Sequence, residues 1–433
     1  IMDQTNYNFI VNKLQKEKED IFKTDINPQF AKNISYPKFS LGFHHYIHQS
    51  KDKMEIVEEF KGKKQVYRVV NPFEHDVDNY DKSIKNQTIN FLQIQKQPNI
   101  LTRAFYKLWE MILMFDLIPT DTDKFVSSHL AEGPGSFIQA TIAYRDTYSK
   151  KSKNDKYYAI TLHSEEKHVP ALHKEFIKYY EKEKPQRLFQ HKTYPIAQSG
   201  GSRTKCNGDL TNLKTIKMYQ GGMNQKANLV TADGGFNWKH ENTQEQEAFL
   251  LIIGQIITAL NVQDKNGHFV LKLFETFTDI TSKLLYVLTQ FYKEVYITKP
   301  FTSRKSNSEK YVICKFFNND TKNIKNLEKV LKMAKKNKDL NLISIFDSFI
   351  IDDNFKNTII NFNTHLSNIQ YKAVNETITF INNKNYYGDD YQTKRKEQIK
   401  ANDFWTNKFL IKPSDYKKNK DSLIKDVQAI IKS

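Results

Sequence analysis

The chain has 433 residues, enough for two or three domains with a sizeable core, and lysine plus arginine exceed aspartate plus glutamate by 66 − 49 = 17, so a polyanionic partner is expected, nucleic acid before an anionic membrane. Two cysteines, Cys206 and Cys314, are too few for a disulfide framework and fit no metal-ligand spacing, which points to a reducing compartment. The strongest apolar run, 248–260, is too short to span a bilayer and the first residues lack the apolar stretch of a secretory signal, so a protein neither secreted nor membrane-spanning is expected.

Residues 1–100 are polar and basic, with 7–22 predicted as an amphipathic helix and turns at Asn27-Pro28, Tyr36-Pro37 and Asn71-Pro72. His44, His45 and His48 crowd one short stretch. With no second ligand cluster in sight, 43–48 reads as a strand rather than a metal site. Residues 102–115 have helical spacing through Phe105, Leu108, Trp109, Ile112 and Leu113, and Arg103 and Lys107 share one face.

From 125 to 317 strand and helix patterns alternate. The predicted strands are 125–131, 157–162, 227–232, 267–274, 293–298 and 309–317, and the predicted helices are 137–148, 165–180, 243–262 and 278–292. This alternation predicts a doubly wound α/β sheet, whose ligands bind at the carboxyl ends of the strands. Residues 183–225 form a longer insertion. After 318 lysine and asparagine rise and helical periodicity dominates, as in Leu327, Val330, Leu331 and Ala334. The expected division is a basic N-terminal region (1–100), an α/β domain (101–317) and a helical C-terminal region (318–433).

Ala131-Glu132-Gly133-Pro134-Gly135-Ser136-Phe137 joins the first strand of that domain to a helix. Glycines let backbone approach a ligand closely, and a helix start offers free N–H groups. The stretch is not a phosphate loop, lacking the Gly-Lys-Ser/Thr ending, and Pro134 breaks the dinucleotide spacing. Glu132 inside the turn suits a ligand bearing an amine or a positive charge. Further on, Asp233 ends the apolar strand 228–232, Lys272 interrupts the apolar run 269–274, and Glu309 opens the last strand. Lysine is rare in such a run unless paired or used. With Lys107 these would make two lysines interleaved with two carboxylates, which are either structural salt bridges or a site where a lysine driven toward neutrality accepts a proton from an alcohol.

The stretches 130–137, 231–236, 267–272 and 299–311, in that order, resemble the FtsJ-like RNA 2′-O-ribose methyltransferases, nearest to the branch acting on mRNA caps in eukaryotes and large DNA viruses. The resemblance covers about 102–317, and Asn71-Pro72-Phe73-Glu74 is similar to a segment upstream of the core in cellular cap enzymes. It implies a Rossmann-like S-adenosylmethionine-dependent methyltransferase sheet with helical N- and C-terminal extensions. It also implies a catalytic tetrad of Lys107, Asp233, Lys272 and Glu309, with Lys272 as base. The methyl donor would be held by Ala131, Glu132, Gly133, Pro134, Gly135, Ser136, Phe137 and Asp233, with Asp209 near the adenine and Thr161 and Leu162 near the ribose. Ser136 stands where the family commonly has glycine or alanine; it is small, so the change is expected to be tolerated. The implied partner is RNA, a capped mRNA 5′ end, with other capping or transcription proteins beside it and no metal. A structural-RNA enzyme and a non-catalytic capping subunit are the alternatives. The implied location is cytoplasm, viral factory or virion for a viral protein and nucleus for a cellular one.

Overall fold

The computed structural model describes residues 7–33, 41–60, 66–94, 98–163, 169–184, 186–190, 207–235, 243–384 and 386–432. The N-terminal region supplies strands β1 (Ile10–Leu14) and β2 (Gln29–Ala31) and helices α1 (Leu41–Asp52), α2 (Val66–Val69) and α3 (Ile84–Phe91). The helix expected over 7–22 is therefore a strand at its centre. Paired antiparallel with β8 (Tyr292–Lys299), β1 satisfies backbone groups that an edge strand would leave open, and that pairing overrides local periodicity. The strand expected at 43–48 is instead part of α1, because His44, Ile47 and His48 fall on one buried helical face.

Helix α4 (Ala104–Phe115) leads into alternating units: β3 (Val126–Leu130), α5 (Ser136–Tyr148), β4 (Lys156–Ile160), α6 (Lys174–Glu183), β5 (Leu188–Gln190), α7 (Leu213–Gly222), β6 (Ala227–Ala232), α8 (Gln244–Val262), β7 (Gln263–Leu273), α9 (Asp279–Phe291), β8 and β9 (Lys310–Phe317). Of the helix predicted over 165–180, residues 165–168 lie outside the described residues, and the described helix starts at Lys174, after Pro170. Of the insertion, residues 191–206 lie outside the described residues, as does the Gly200-Gly201-Ser202 turn. The C-terminal region adds α10 (Ile324–Lys336), β10 (Asn341–Ser344), α11 (Asp353–Asn382), α12 (Asp389–Phe409) and α13 (Tyr416–Lys432).

The main sheet has the order β1-β8-β9-β7-β6-β3-β4-β5. Strands β3 to β7 run parallel, and β9 lies antiparallel between β7 and β8. Alternate residues feed two cores: Val230, Phe269 and Leu271 join the α8–α9 side, whereas Leu229 and Val270 join the side covered by α4, α5 and the C-terminal Trp405, Phe409 and Leu423. Parallel strands buried on both faces explain why these segments read as continuous apolar runs. The second core makes the terminal regions part of the scaffold that carries α4. On that side Asp155 pairs with Arg145 at 2.7 and 2.9 Å, both side chains fully buried. Among the described residues no helix is long and apolar enough to cross a membrane.

Candidate active site

Strand β3 continues to β4 on one side of the sheet, and its neighbour β6 continues to β7 on the other. Their carboxyl ends therefore open the crevice where a doubly wound sheet binds ligands. The turn after β3 lines it. Ala131 takes φ +52°, and Gly135, at φ +117°, precedes α5. Glu132 folds back so that Oε1 accepts the N–H groups of Phe137 (2.8 Å) and Ile138 (2.9 Å). Its Oε2 is buried without a hydrogen-bond partner among the described residues. Burial, with Asp233 nearby, pushes this carboxyl well above its usual range, against the pull of the two N–H groups. A Cβ at Gly133 would lie 1.8 Å from the Pro170 carbonyl oxygen, so the close approach requires glycine. The Ser136 hydroxyl meets Thr102 Oγ1 at 2.7 Å, a productive use of the residue that departs from the family pattern.

The crevice has a second wall. Gly133 donates its N–H to Thr161 Oγ1 (3.3 Å), and His163 donates its N–H to the Asn207 carbonyl (2.7 Å), drawing the 207–209 turn against the end of β4. Asp209 Oδ1 accepts both the N–H (2.9 Å) and the hydroxyl (2.8 Å) of Thr211. Leu162 is unusual for a large apolar residue in being 36% exposed.

Across the crevice stand two lysine–carboxylate pairs. Asp233 follows β6, and Lys272 comes from β7 beside it: Lys272 Nζ is 3.1 Å from Asp233 Oδ1 and donates to the Asp233 carbonyl at 3.0 Å. Lys107 on α4 reaches both oxygens of Glu309, at 2.7 and 2.9 Å. Tyr311, opposite Lys272 in the β7–β9 register, donates its hydroxyl to Asp233 Oδ1 (3.3 Å), with Glu309 nearby. The structure thus brings the four tetrad positions together.

Of the two readings open for Lys272, ion pairing or a lysine driven toward neutrality, the electrostatics favour the first. Burial opposes its charge, but Asp233, Glu309 and Glu132 outweigh burial and hold its pKa above the ordinary lysine value. Glu309 resists burial in the same way: Lys107, Lys272 and Lys299 keep its carboxyl far below the usual range. The site as it stands alternates lysine with carboxylate, each lysine paired with an acid.

Several supporting residues escape sequence reading. Glu74, in the Asn71-Pro72-Phe73-Glu74 stretch, is buried between Arg103 (3.2 Å) and Arg304 (3.1 Å). Arg304 also lies over the Tyr67 ring, 4.7 Å from its centroid. Glu110 and Lys299, both buried, hold the 300–309 loop from either side. Burial pushes the Glu110 carboxyl up to about 7 against the hydrogen bonds it accepts. On the same loop, Lys305 and Ser306 face a cavity of about 290 Å³ that Tyr67, Pro72, Lys372 and Lys394 also line.

The histidine stretch has the distant partner that the sequence hid. Ligand atoms of His44, His48 and Glu275 lie within 4.8 Å of one another. Glu275 is already engaged, however, with Lys51 2.8 Å from Oε1 and His48 Nε2 3.1 Å from Oε2. These groups overcome burial and hold its carboxyl at about 2, so the cluster is a buried ionic tie between α1 and the end of β7.

A doubly wound sheet with a glycine-lined turn at its switch point and lysine–carboxylate pairs beyond it defines a Rossmann-like α/β protein of the methyltransferase class. The model of the FtsJ-like methyltransferase family matches residues 100–317, and the chain belongs to that family. It is 30% identical over 211 residues to cap-specific mRNA (nucleoside-2′-O-)-methyltransferase 1 of Caenorhabditis elegans, covering 46% of this chain and 23% of that protein. Over 90 residues it is 47% identical to the Dictyostelium discoideum protein of the same name, 21% of this chain and 12% of that one. An uncharacterised protein of Acanthamoeba polyphaga mimivirus is 28% identical over 329 residues, 73% of this chain and 39% of that protein. The chain therefore spans well under half the length of these relatives.

Proposed function

We propose that this chain is an S-adenosylmethionine-dependent methyltransferase acting on a ribose 2′-OH of RNA, at the first transcribed nucleotide of capped mRNA. The observation that carries the reading is Lys272, held between Asp233 and the Lys107–Glu309 pair at the mouth of the crevice. The cap-specific names of the relatives support the substrate.

The crevice fits the donor. The unpartnered Oε2 of Glu132 suits a ligand that would bring an amine, and Gly133 lets the Pro170 carbonyl pack against the turn and hold its shape. Ala131 to Phe137 and Asp233 would hold the methionine end, and Asp209, Thr161 and Leu162 the adenosine. When bound, S-adenosylmethionine supplies a methyl group already activated on a cationic sulfonium. The protein's remaining work is alignment and proton removal. Lys272 lines up the hydroxyl and, once neutral, takes its proton. Asp233, Glu309 and Lys107 fix where Lys272 points. Tyr311 holds Asp233, so that part of the geometry exists before the substrate arrives.

The cavity beside Ser306 is lined by Lys305, Lys372 and Lys394, the last paired with Glu376 and Glu397, and Lys305 and Lys372 would attract a phosphate-rich 5′ end. Because only RNA has the 2′-OH, an oligoribonucleotide should accept labelled methyl groups and the matching oligodeoxyribonucleotide should not. Equal labelling of both would refute a ribose acceptor.

A further inference from the structure

The loop from Pro300 to Ser308 carries Glu309 into the site but belongs to no strand. A ring of hydrogen bonds that begins and ends on α4 fixes its shape. Lys107 holds Glu309 Oε1 at 2.7 Å, and Ser303 donates its hydroxyl to the same oxygen at 2.8 Å. One helical turn after Lys107, Glu110 accepts the N–H of Phe301 (2.7 Å), the N–H of Thr302 (2.9 Å) and the Thr302 hydroxyl (2.6 Å). Both ends of the ring are therefore three residues apart on one rigid helix. Glu110 has one further donor, and it comes from 295 residues away: Trp405 Nε1 on α12, at 2.9 Å. Trp405 is fully buried, with its ring edge-on to Tyr106 of α4 at 5.7 Å.

We propose that Glu110 and Trp405 are positioning residues for Glu309, so that α12 completes the active site from outside the α/β domain without touching the substrate. A carboxylate that accepts four hydrogen bonds has no orientational freedom left. The indole N–H sets which way Oε1 faces, Oε1 sets Thr302, and Thr302 leads through Ser303 to Glu309. Arg103 strengthens the same point by donating to the Thr302 carbonyl. Displacement of a reacting group by about 1 Å costs on the order of a hundredfold in rate, so a small slip of this loop is enough to matter.

The inference rests on the proposed methyl transfer, and the test separates the two. In the full chain, Trp405→Phe keeps the ring and removes the N–H, Glu110→Gln keeps the shape and turns one acceptor oxygen into a donor, and Leu423→Ala on α13 perturbs the same core away from the ring of bonds. Amide hydrogen exchange of the 300–309 segment is read together with kcat and the donor KM. Trp405→Phe and Glu110→Gln should speed exchange in that segment and lower kcat by about ten- to a hundredfold, with the donor KM changed less than about twofold. Leu423→Ala should lower Tm and leave both readouts unchanged. Unchanged exchange in Trp405→Phe, or equal effects from Leu423→Ala, would overturn the proposal. A wild-type chain without ribose methylation would refute the functional reading, and the exchange data would still decide the coupling.

Discussion

Lys272 and Asp233 meet twice: the ammonium pairs with Asp233 Oδ1 at 3.1 Å and donates to the same residue's carbonyl at 3.0 Å. This double contact fixes the lysine at the switch point of the sheet, within the field of Glu309 and Glu132. Removing the amine should remove the base without dismantling the donor crevice. Lys272→Ala is expected to lower kcat by about 10²- to 10⁴-fold, the range for loss of general-base catalysis, while donor binding by titration stays within about threefold. Turnover near wild type would exclude Lys272 as the base.

The same contact sets the sign of the pH dependence. A base must be neutral to act, and the carboxylates hold Lys272 charged to higher pH than an ordinary lysine. The kcat/KM for RNA should therefore climb with pH through the neutral and alkaline range, along a single limb. Asp233→Asn removes the strongest source of that upward shift. Its limb should move to lower pH even as its plateau falls. A limb displaced to higher pH would contradict the assignment.

The donor crevice can be tested at Gly133. A methyl group there would press on the Pro170 carbonyl at 1.8 Å, so Gly133→Ala must move either the turn or the 170 segment. Donor affinity should fall by about tenfold or more, equivalent to roughly 1.4 kcal/mol, measured by calorimetry. Unaltered affinity would show that this turn does not hold the donor.

Fold stability has its own test away from the site. Both partners of the Arg145–Asp155 pair are inaccessible, and Asp155 also accepts the Phe125 N–H at 3.0 Å. Asp155→Asn leaves a buried guanidinium without its counter-charge, and denaturant unfolding should show a loss of about 3–5 kcal/mol. A loss below about 1 kcal/mol would mean that the pair is not essential to the second core.

The sequence announces the parts of this site that break a local pattern. Lys272 stands out because a lysine interrupts an apolar strand, Asp233 because an acid ends one, and the 131–137 turn because glycines and an acid meet at a helix start. Tyr311 breaks no pattern: a tyrosine in a strand looks like core, and only the register opposite Lys272 gives it a role. Glu110 and Trp405 are likewise ordinary in sequence and meaningful only as a pair joined across 295 positions. The error at β1 has the same origin, since its partner strand lies near residue 295 and nothing local records the pairing. The charge on Lys272 is not legible either, because the sequence offers Glu132, Asp233 and Glu309 as candidates but not how near they come to the amine.

Methyl transfer from labelled S-adenosylmethionine to short RNAs ending in a methylated guanosine cap, an unmethylated cap or a bare 5′ end tests the central claim most directly, with digestion to locate the label. The account predicts label on the first ribose of the capped RNA, little or none on the uncapped RNA, and loss of the signal in Lys272→Ala. Label on a base, or equal ribose labelling without a cap, would contradict it.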